Sequence, residues 1–179
     1  MSITEKSLFA GFGGQGIISM GQLWVYSAMI EGKNVTFFPF YGAEKRGGIA
    51  RAGVIISDEE ISSPLVTTPD SVVVMNIDSL PLCEKIVKEG GLMIINSSLV
   101  KESPKRKDVR VVNVEASGLA EKVGHIRYAN MVALGALAKL TGHLKLNDIE
   151  GILKGFFSED KHRFVPENAG AIRAGLDAV

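Results

Sequence analysis

The sequence predicts an α/β domain with helices on both faces of a mixed, mostly parallel sheet. Three observations carry this. The apolar run Ser7-Leu8-Phe9-Ala10 leads straight into Gly11-Phe12-Gly13-Gly14-Gln15-Gly16 and then into an apolar helical pattern. A second strand, helix, strand succession recurs between residues 71 and 96. With 179 residues, 46% of them apolar, the chain can bury one sizeable core and is short for two domains.

Taken in order, Leu8 to Phe12 reads as a buried strand. Gly16 to about Glu31 reads as a helix whose Ile17, Ile18, Met20, Leu23, Trp24 and Met29 wrap too much of its circumference for a simple surface helix, so it is expected to be covered on two sides. Gly32-Lys33-Asn34 ends it, and Val35 to Phe38 resumes as a strand. A polar glycine loop, Tyr41 to Gly48, leads into a strand from Ala50 to Ser57 that begins with small residues. That loop contains no helix, so part of the sheet is expected to be antiparallel. Ile61 to Val66 reads as a short edge strand closed by Thr68-Pro69-Asp70. Ser71 to Met75 is a buried strand, Leu80 to Lys88 a helix, and Leu92 to Asn96 and Val109 to Val114 further strands, with helices filling most of the rest. The order fits a three-layer α/β/α, Rossmann-like fold, without repeats or linkers.

Composition excludes several classes. Twenty basic residues balance twenty acidic ones, so no global field draws the chain to nucleic acid or to an anionic membrane, and any anion binding is local. Met1 to Lys6 lacks signal-peptide architecture, and no apolar run approaches the roughly 20 residues of a membrane span, which predicts a cytoplasmic protein. Cys83 is the only cysteine; it excludes an iron–sulfur cluster ligated by this chain alone and reads as a small buried apolar residue. His125, His143 and His162 share no metal-ligand spacing, so no metal site is assigned.

Gly11, Gly13 and Gly16 satisfy G-x-G-x-x-G between a strand and a helix. Glycines allow a tight turn, and amides at a helix N-terminus attract phosphate or carboxylate. The acidic residue that holds ribose, about 20 residues further on in dinucleotide enzymes, is missing: the second strand ends in Phe38-Pro39-Phe40-Tyr41, and Glu31 falls too early. No Gly-Lys-Ser or Gly-Lys-Thr of a P-loop follows either. The glycines could equally serve close packing of helix on strand, while Gln15 offers an amide to orient a polar ligand.

The second loop sets Lys45, Arg46 and Arg51 near Gly47 and Gly48, after an aromatic run. Arginine grips phosphate or carboxylate bidentately where glycines let the backbone approach. The alternative is a solvated loop, which rarely follows such a run. Glu44 is the only acid in the two loops, and no nucleophile and base can be paired. The pattern is that of a binding surface more than a complete active site.

Together, Gly11 to Gly16, Tyr41-Gly42-Ala43-Glu44-Lys45-Arg46-Gly47-Gly48, Ala50-Arg51-Ala52 and the closing Glu167 to Gly175 resemble the gamma subunit of 2-oxoacid:ferredoxin oxidoreductases. The resemblance runs from Leu8 to the C-terminus and implies one gamma-type domain over residues 1–179. It implies a complex that decarboxylates a 2-oxoacid, 2-oxoglutarate first among the candidates and branched-chain acids next, on thiamine diphosphate. Electrons pass through iron–sulfur clusters to ferredoxin, and an acyl-coenzyme A is released. It also implies that thiamine and clusters lie on alpha, beta and ferredoxin-like delta partners, with this chain on the coenzyme A side of the cleft. The site residues that follow are Gly11, Gly13, Gly14, Gln15, Gly16, Tyr41, Gly42, Glu44, Arg46, Gly47, Gly48 and Arg51. Indolepyruvate oxidoreductase, through its beta-type subunit, and a stand-alone nucleotide-binding protein remain the alternatives.

Two apolar helical stripes complete the reading. Tyr128 to Leu140 is rich in small residues and suits close packing on two sides, against a partner or within this chain's own core. Ile152, Leu153, Phe156 and Phe157 read as core.

Overall fold

In the computed structural model, residues 3–42, 48–142 and 148–179 are described. The strands are β1 (Thr4–Phe12), β2 (Asn34–Tyr41), β3 (Ile49–Ser57), β4 (Ser71–Val74), β5 (Leu92–Asn96) and β6 (Arg110–Val114). The helices are α1 (Ile17–Ile30), α2 (Leu80–Ile86), α3 (Ala116–Val123), α4 (Ala129–Thr141), α5 (Ile149–Phe156) and α6 (Val165–Asp177). The sheet order is β2-β3-β1-β4-β5-β6. The pairs β1–β4, β4–β5 and β5–β6 are parallel, and β3 is antiparallel to both of its neighbours. Since β2 reverses β3 again, every strand except β3 runs in one direction. The expected mixed, mostly parallel sheet is present, and its antiparallel part follows from a connection between Tyr41 and Ile49 that is too short for a crossover.

The two faces are covered unequally. Phe9, Ala52, Val54, Ile56, Val73 and Ile94 point to a large core shared with α1, α3, α4, α5 and α6. On the other face Leu8, Ala10, Val72, Val74, Met93 and Ile95 meet a smaller set, Leu80, Cys83, Val87 and Val100 with the partly buried Ile77, Ile86 and Val109, from α2 and nearby segments. The helix α1 is covered by the sheet and by α4 and α5, as its sequence requires, but Met29 lies outside that contact and is 56% exposed. The residues Ile61 to Val66 do not form the expected edge strand. Here β2 already occupies that edge, Pro64 lacks an amide to pair, and Val66 instead packs over Gly53, where an added Cβ would lie 3.2 Å from Val66 Cγ2.

The small-residue helix α4 packs within this chain's own core. Every residue from Ala129 to Ala138 is buried, between the sheet and α6. Two glycines make the crossing possible: a Cβ on Gly135 would sit 2.0 Å from the Ile172 carbonyl oxygen, and one on Gly175 would sit 1.9 Å from the Val132 carbonyl oxygen. The stripe on α5 is core as well, with Leu153 fully buried and Phe156 packed against Tyr26 at 5.7 Å between ring centroids. Because backbone cannot yield as a side chain can, Gly175→Ala should cost about 3 kcal/mol, the upper range of overpacking. Urea denaturation checks this; an unchanged midpoint would mean that α4 and α6 separate freely.

Candidate functional site

The site is built where β1 gives way to α1. The turn holds two glycines in the left-handed region, Gly14 at φ 97° and Gly16 at φ 73°. Gly11 has no room for a side chain, since a Cβ would lie 2.6 Å from Gln15 Oε1 and 2.7 Å from Ile17 Cδ1. Gly13 differs. Its φ is ordinary, and a Cβ there would meet only the Gly48 carbonyl oxygen, at 3.7 Å. At this exposed position the fold leaves room for a side chain.

No side chain caps the N-terminus of α1, and no acidic residue lies in its first turn. Among the described residues, the positive end of the helix dipole meets no acidic side chain of its own first turn. Gln15 holds the turn together through both ends of its amide. Its Oε1 accepts the Phe12 amide at 2.7 Å and its Nε2 donates to the Met75 carbonyl at 3.1 Å. The side chain thus clips the turn to the end of β4.

The second glycine loop comes to the same place. The Gly13 amide donates to the Gly48 carbonyl at 2.9 Å, and the Gly42 amide donates to the Ile49 carbonyl at 2.9 Å. Tyr41 is 64% exposed at the end of β2. Glu44, Arg46 and Gly47 lie outside the described residues. Arg51 is not brought to the turn: it pairs with Ala10 and projects from the opposite sheet face, its guanidinium carbon 4.2 Å above the Phe40 ring. Ala50 and Ala52, which flank it, point to the helix side.

Beside Gly14 and Gln15 opens a cavity of about 260 Å³, lined also by Met75, Asn96, Ser117 and Arg127. It sits at the carboxyl ends of β1, β4 and β5, beside the point where the direction of neighbouring strands changes, the place where open α/β sheets bind ligands. Asn96, the last residue of β5, donates through Nδ2 to Ser117 Oγ at 3.0 Å, and both are buried. Arg127 is exposed and held by its neighbours: Nη2 donates to the Tyr128 hydroxyl at 3.1 Å, and the guanidinium lies 5.2 Å from the Phe164 ring centroid. None of these three residues was singled out from the sequence, although the last residue of a parallel strand is a readable signal for Asn96. A cavity of about 290 Å³ with Asp70, Lys88 and Arg110 lies at the opposite, amino ends of the strands.

The neighbour of β1 also explains the missing ribose acid. In a dinucleotide fold that neighbour is a parallel strand whose carboxyl end carries the acid. Here it is antiparallel β3, whose first residues Ile49 and Ala50 pair with Phe12 and Gly11. The place of a parallel neighbour's carboxyl end is thus taken by the start of β3.

Cys83 is fully buried, and burial pushes its thiol up to about 12, against a smaller opposing effect of the Arg51 charge. A thiol so far from ionisation is a poor metal ligand. Among the described residues no three His, Cys, Asp or Glu side chains gather as a metal site.

Replacing Gln15 with alanine removes both ends of the clip and strands the Phe12 amide. The expected loss is about 1–2 kcal/mol of local stability, which speeds hydrogen exchange at Phe12 about tenfold or more. Gly13→Ala should leave that exchange unchanged. Amide exchange read by NMR distinguishes the two, and equal behaviour would refute the assignment.

The pyruvate ferredoxin/flavodoxin oxidoreductase family model matches residues 6–178. The chain is similar to the ketoisovalerate oxidoreductase subunit VorA of Methanothermobacter marburgensis, 36% identical over 170 residues, which are 94% of this chain and 35% of that protein. It therefore spans about a third of that relative's length. It is also similar to the pyruvate/ketoisovalerate oxidoreductases common subunit gamma of Thermococcus litoralis, 33% identical over 176 residues and 94% of each chain. The 2-oxoglutarate:ferredoxin oxidoreductase of Magnetococcus marinus, solved with 2-oxoglutarate, coenzyme A and succinyl-CoA bound, superposes with a TM-score of 0.87 at 25% identity, over 98% of this chain and 31% of that one. With the motifs, the sheet order and the family match in agreement over nearly its whole length, the chain belongs to the pyruvate ferredoxin/flavodoxin oxidoreductase family.

Proposed function

We propose that this chain, as one gamma-type domain over residues 1–179, is the gamma subunit of a complex that oxidatively decarboxylates a 2-oxoacid to an acyl-coenzyme A. In this reading it holds part of coenzyme A against the glycine turn. The observation that carries the proposal is the Gly13 to Gly48 hydrogen bond, which joins both sequence motifs into one surface beside an uncapped helix N-terminus. The residues present fit a coenzyme A phosphate: the amides at the start of α1, an unhindered Gly13 and the Arg127 cation. A cavity of about 260 Å³ holds only part of such a molecule, so the remainder rests on partner subunits.

The thiamine diphosphate and the iron–sulfur clusters belong to the alpha, beta and ferredoxin-like delta partners in this reading. Cys83 is unsuited to a cluster. Thiamine diphosphate supplies the carbanion chemistry of decarboxylation when bound there, and this chain's residues bind and orient the acyl acceptor. The first substrate proposed is 2-oxoglutarate; a branched-chain acid is the second, favoured by the ketoisovalerate relative. The proposed location is the cytoplasm.

An anaerobic pull-down of the tagged chain from its native cell tests the assembly. Larger subunits and brown iron–sulfur absorbance are expected; a colourless chain alone would refute it. In the recovered complex Arg127→Ala should raise the KM for coenzyme A about tenfold with little change in kcat, the mark of a lost charged contact made equally in ground and transition states. Arg46→Ala should act in the same direction. An unchanged KM removes the residue concerned from this role.

A further inference from the structure

One stretch of the sheet is covered by no helix among the described residues. On the face opposite the large core, Phe38 and Phe40 of the edge strand β2 are 44% and 47% exposed, and Leu65, at 54%, stands across from them. Between them runs a groove of about 160 Å³ floored by Leu8, Gly53 and Arg51 and bounded by Val66. The register fixes this arrangement: Phe40, Arg51 and Ala10 form one row across β2, β3 and β1, and Phe38, Gly53 and Leu8 form the next.

At the centre lies the Arg51 cation. The Arg51 guanidinium is stacked on Phe40, its Nε is buried without a hydrogen-bond partner, and among the described residues no carboxylate reaches it. A buried guanidinium N–H left unpaired is unfavourable, and a carboxylate matches its fork. Arginine beside exposed aromatics is also the composition of interface centres.

The geometry points to this groove as the seat of a partner subunit's segment that presents an aspartate or glutamate between apolar side chains, an inference that rests on the complex proposed above. Charge complementarity selects the occupant. A second copy packed on the same face across a two-fold axis would bring two Arg51 cations together. Addition of a strand to the edge is obstructed by Pro39 within β2, so the contact uses the face. The M. marburgensis relative carries about two thirds of its length beyond the portion matched here, polypeptide that a domain of this kind has to pack against in that protein.

The test compares the tagged wild-type chain with Arg51→Glu and Arg51→Lys in anaerobic pull-downs from the native cell. The Arg51→Lys complex is then treated with a carbodiimide and mapped by mass spectrometry. The wild type should bring down the larger subunits, and Arg51→Glu should lower their recovery at least tenfold. In Arg51→Lys the introduced amine should couple to an acidic residue of a copurifying subunit with apolar neighbours. This coupling decides the matter should Arg51→Glu fail to fold. Recovery within twofold for Arg51→Glu, absence of coupling, or coupling within the chain, to Glu44 for instance, overturns the interface while leaving the complex intact. A wild-type chain that brings down no subunit overturns both.

Discussion

The reversal of a single strand governs this molecule. By lying antiparallel between β1 and β2, β3 starts where β1 ends, and this alone sets Gly48 within hydrogen-bonding reach of Gly13. The same reversal fills the position at which a parallel neighbour would present a ribose-binding acid, so a fingerprint that satisfies the dinucleotide spacing is turned to another use. It also pushes β2 to the edge with Phe38 and Phe40 on the thinly covered face. The ligand turn and the bare groove are thus two outcomes of one topological choice, one at the end of β1 and one across its face.

The helical side of the molecule is closed. A helix of small residues such as α4 can bring another backbone very near, and here α6 uses that capacity at Gly135 and Gly175. With the sheet on one side and α6 on the other, α4 has no face left for a partner. On the opposite face of the sheet, covered among the described residues by the short α2 and loops, Phe38, Phe40 and Leu65 add exposed apolar surface to that of Met29 and Ile30 at the end of α1.

Much of the fold was legible because periodicity reports burial directly. The runs at Ser71 to Val74 and Leu92 to Asn96 are buried on both faces and appear as unbroken apolar strings, and the short connection before β3 announced its direction. What misled was local pattern whose meaning depends on distant neighbours. Ile61 to Val66 has the composition of a strand, but Pro64 lacks an amide to pair and Val66 packs over Gly53 on the sheet face instead. Met29 has the character of a core residue but lies past the contact of α1 with its cover. In the site, Asn96, Ser117 and Arg127 come from chain more than 80 residues beyond Gly14 and share no spacing with the motifs. Arg51 was readable in principle: strand alternation between Ala50 and Ala52 already sends it to the other face.

The chemistry of the cavity fixes what this chain contributes. Gln15, Asn96 and Ser117 hold neither charge nor a proton that moves near neutral pH, and arginine keeps its proton throughout. Cys83 is buried away from the glycine turn, and burial holds it in the thiol form. The described residues around the turn therefore present donors, dipoles and one fixed positive charge, with no group able to take up or release a proton in a catalytic cycle. The positive field of such a set is local, because the chain as a whole carries no net charge. On the other face of the sheet the half-buried Arg51 stacks on Phe40 in one row and the exposed Phe38 stands in the next, so the same antiparallel β3 that brings Gly48 to the turn also builds this second surface.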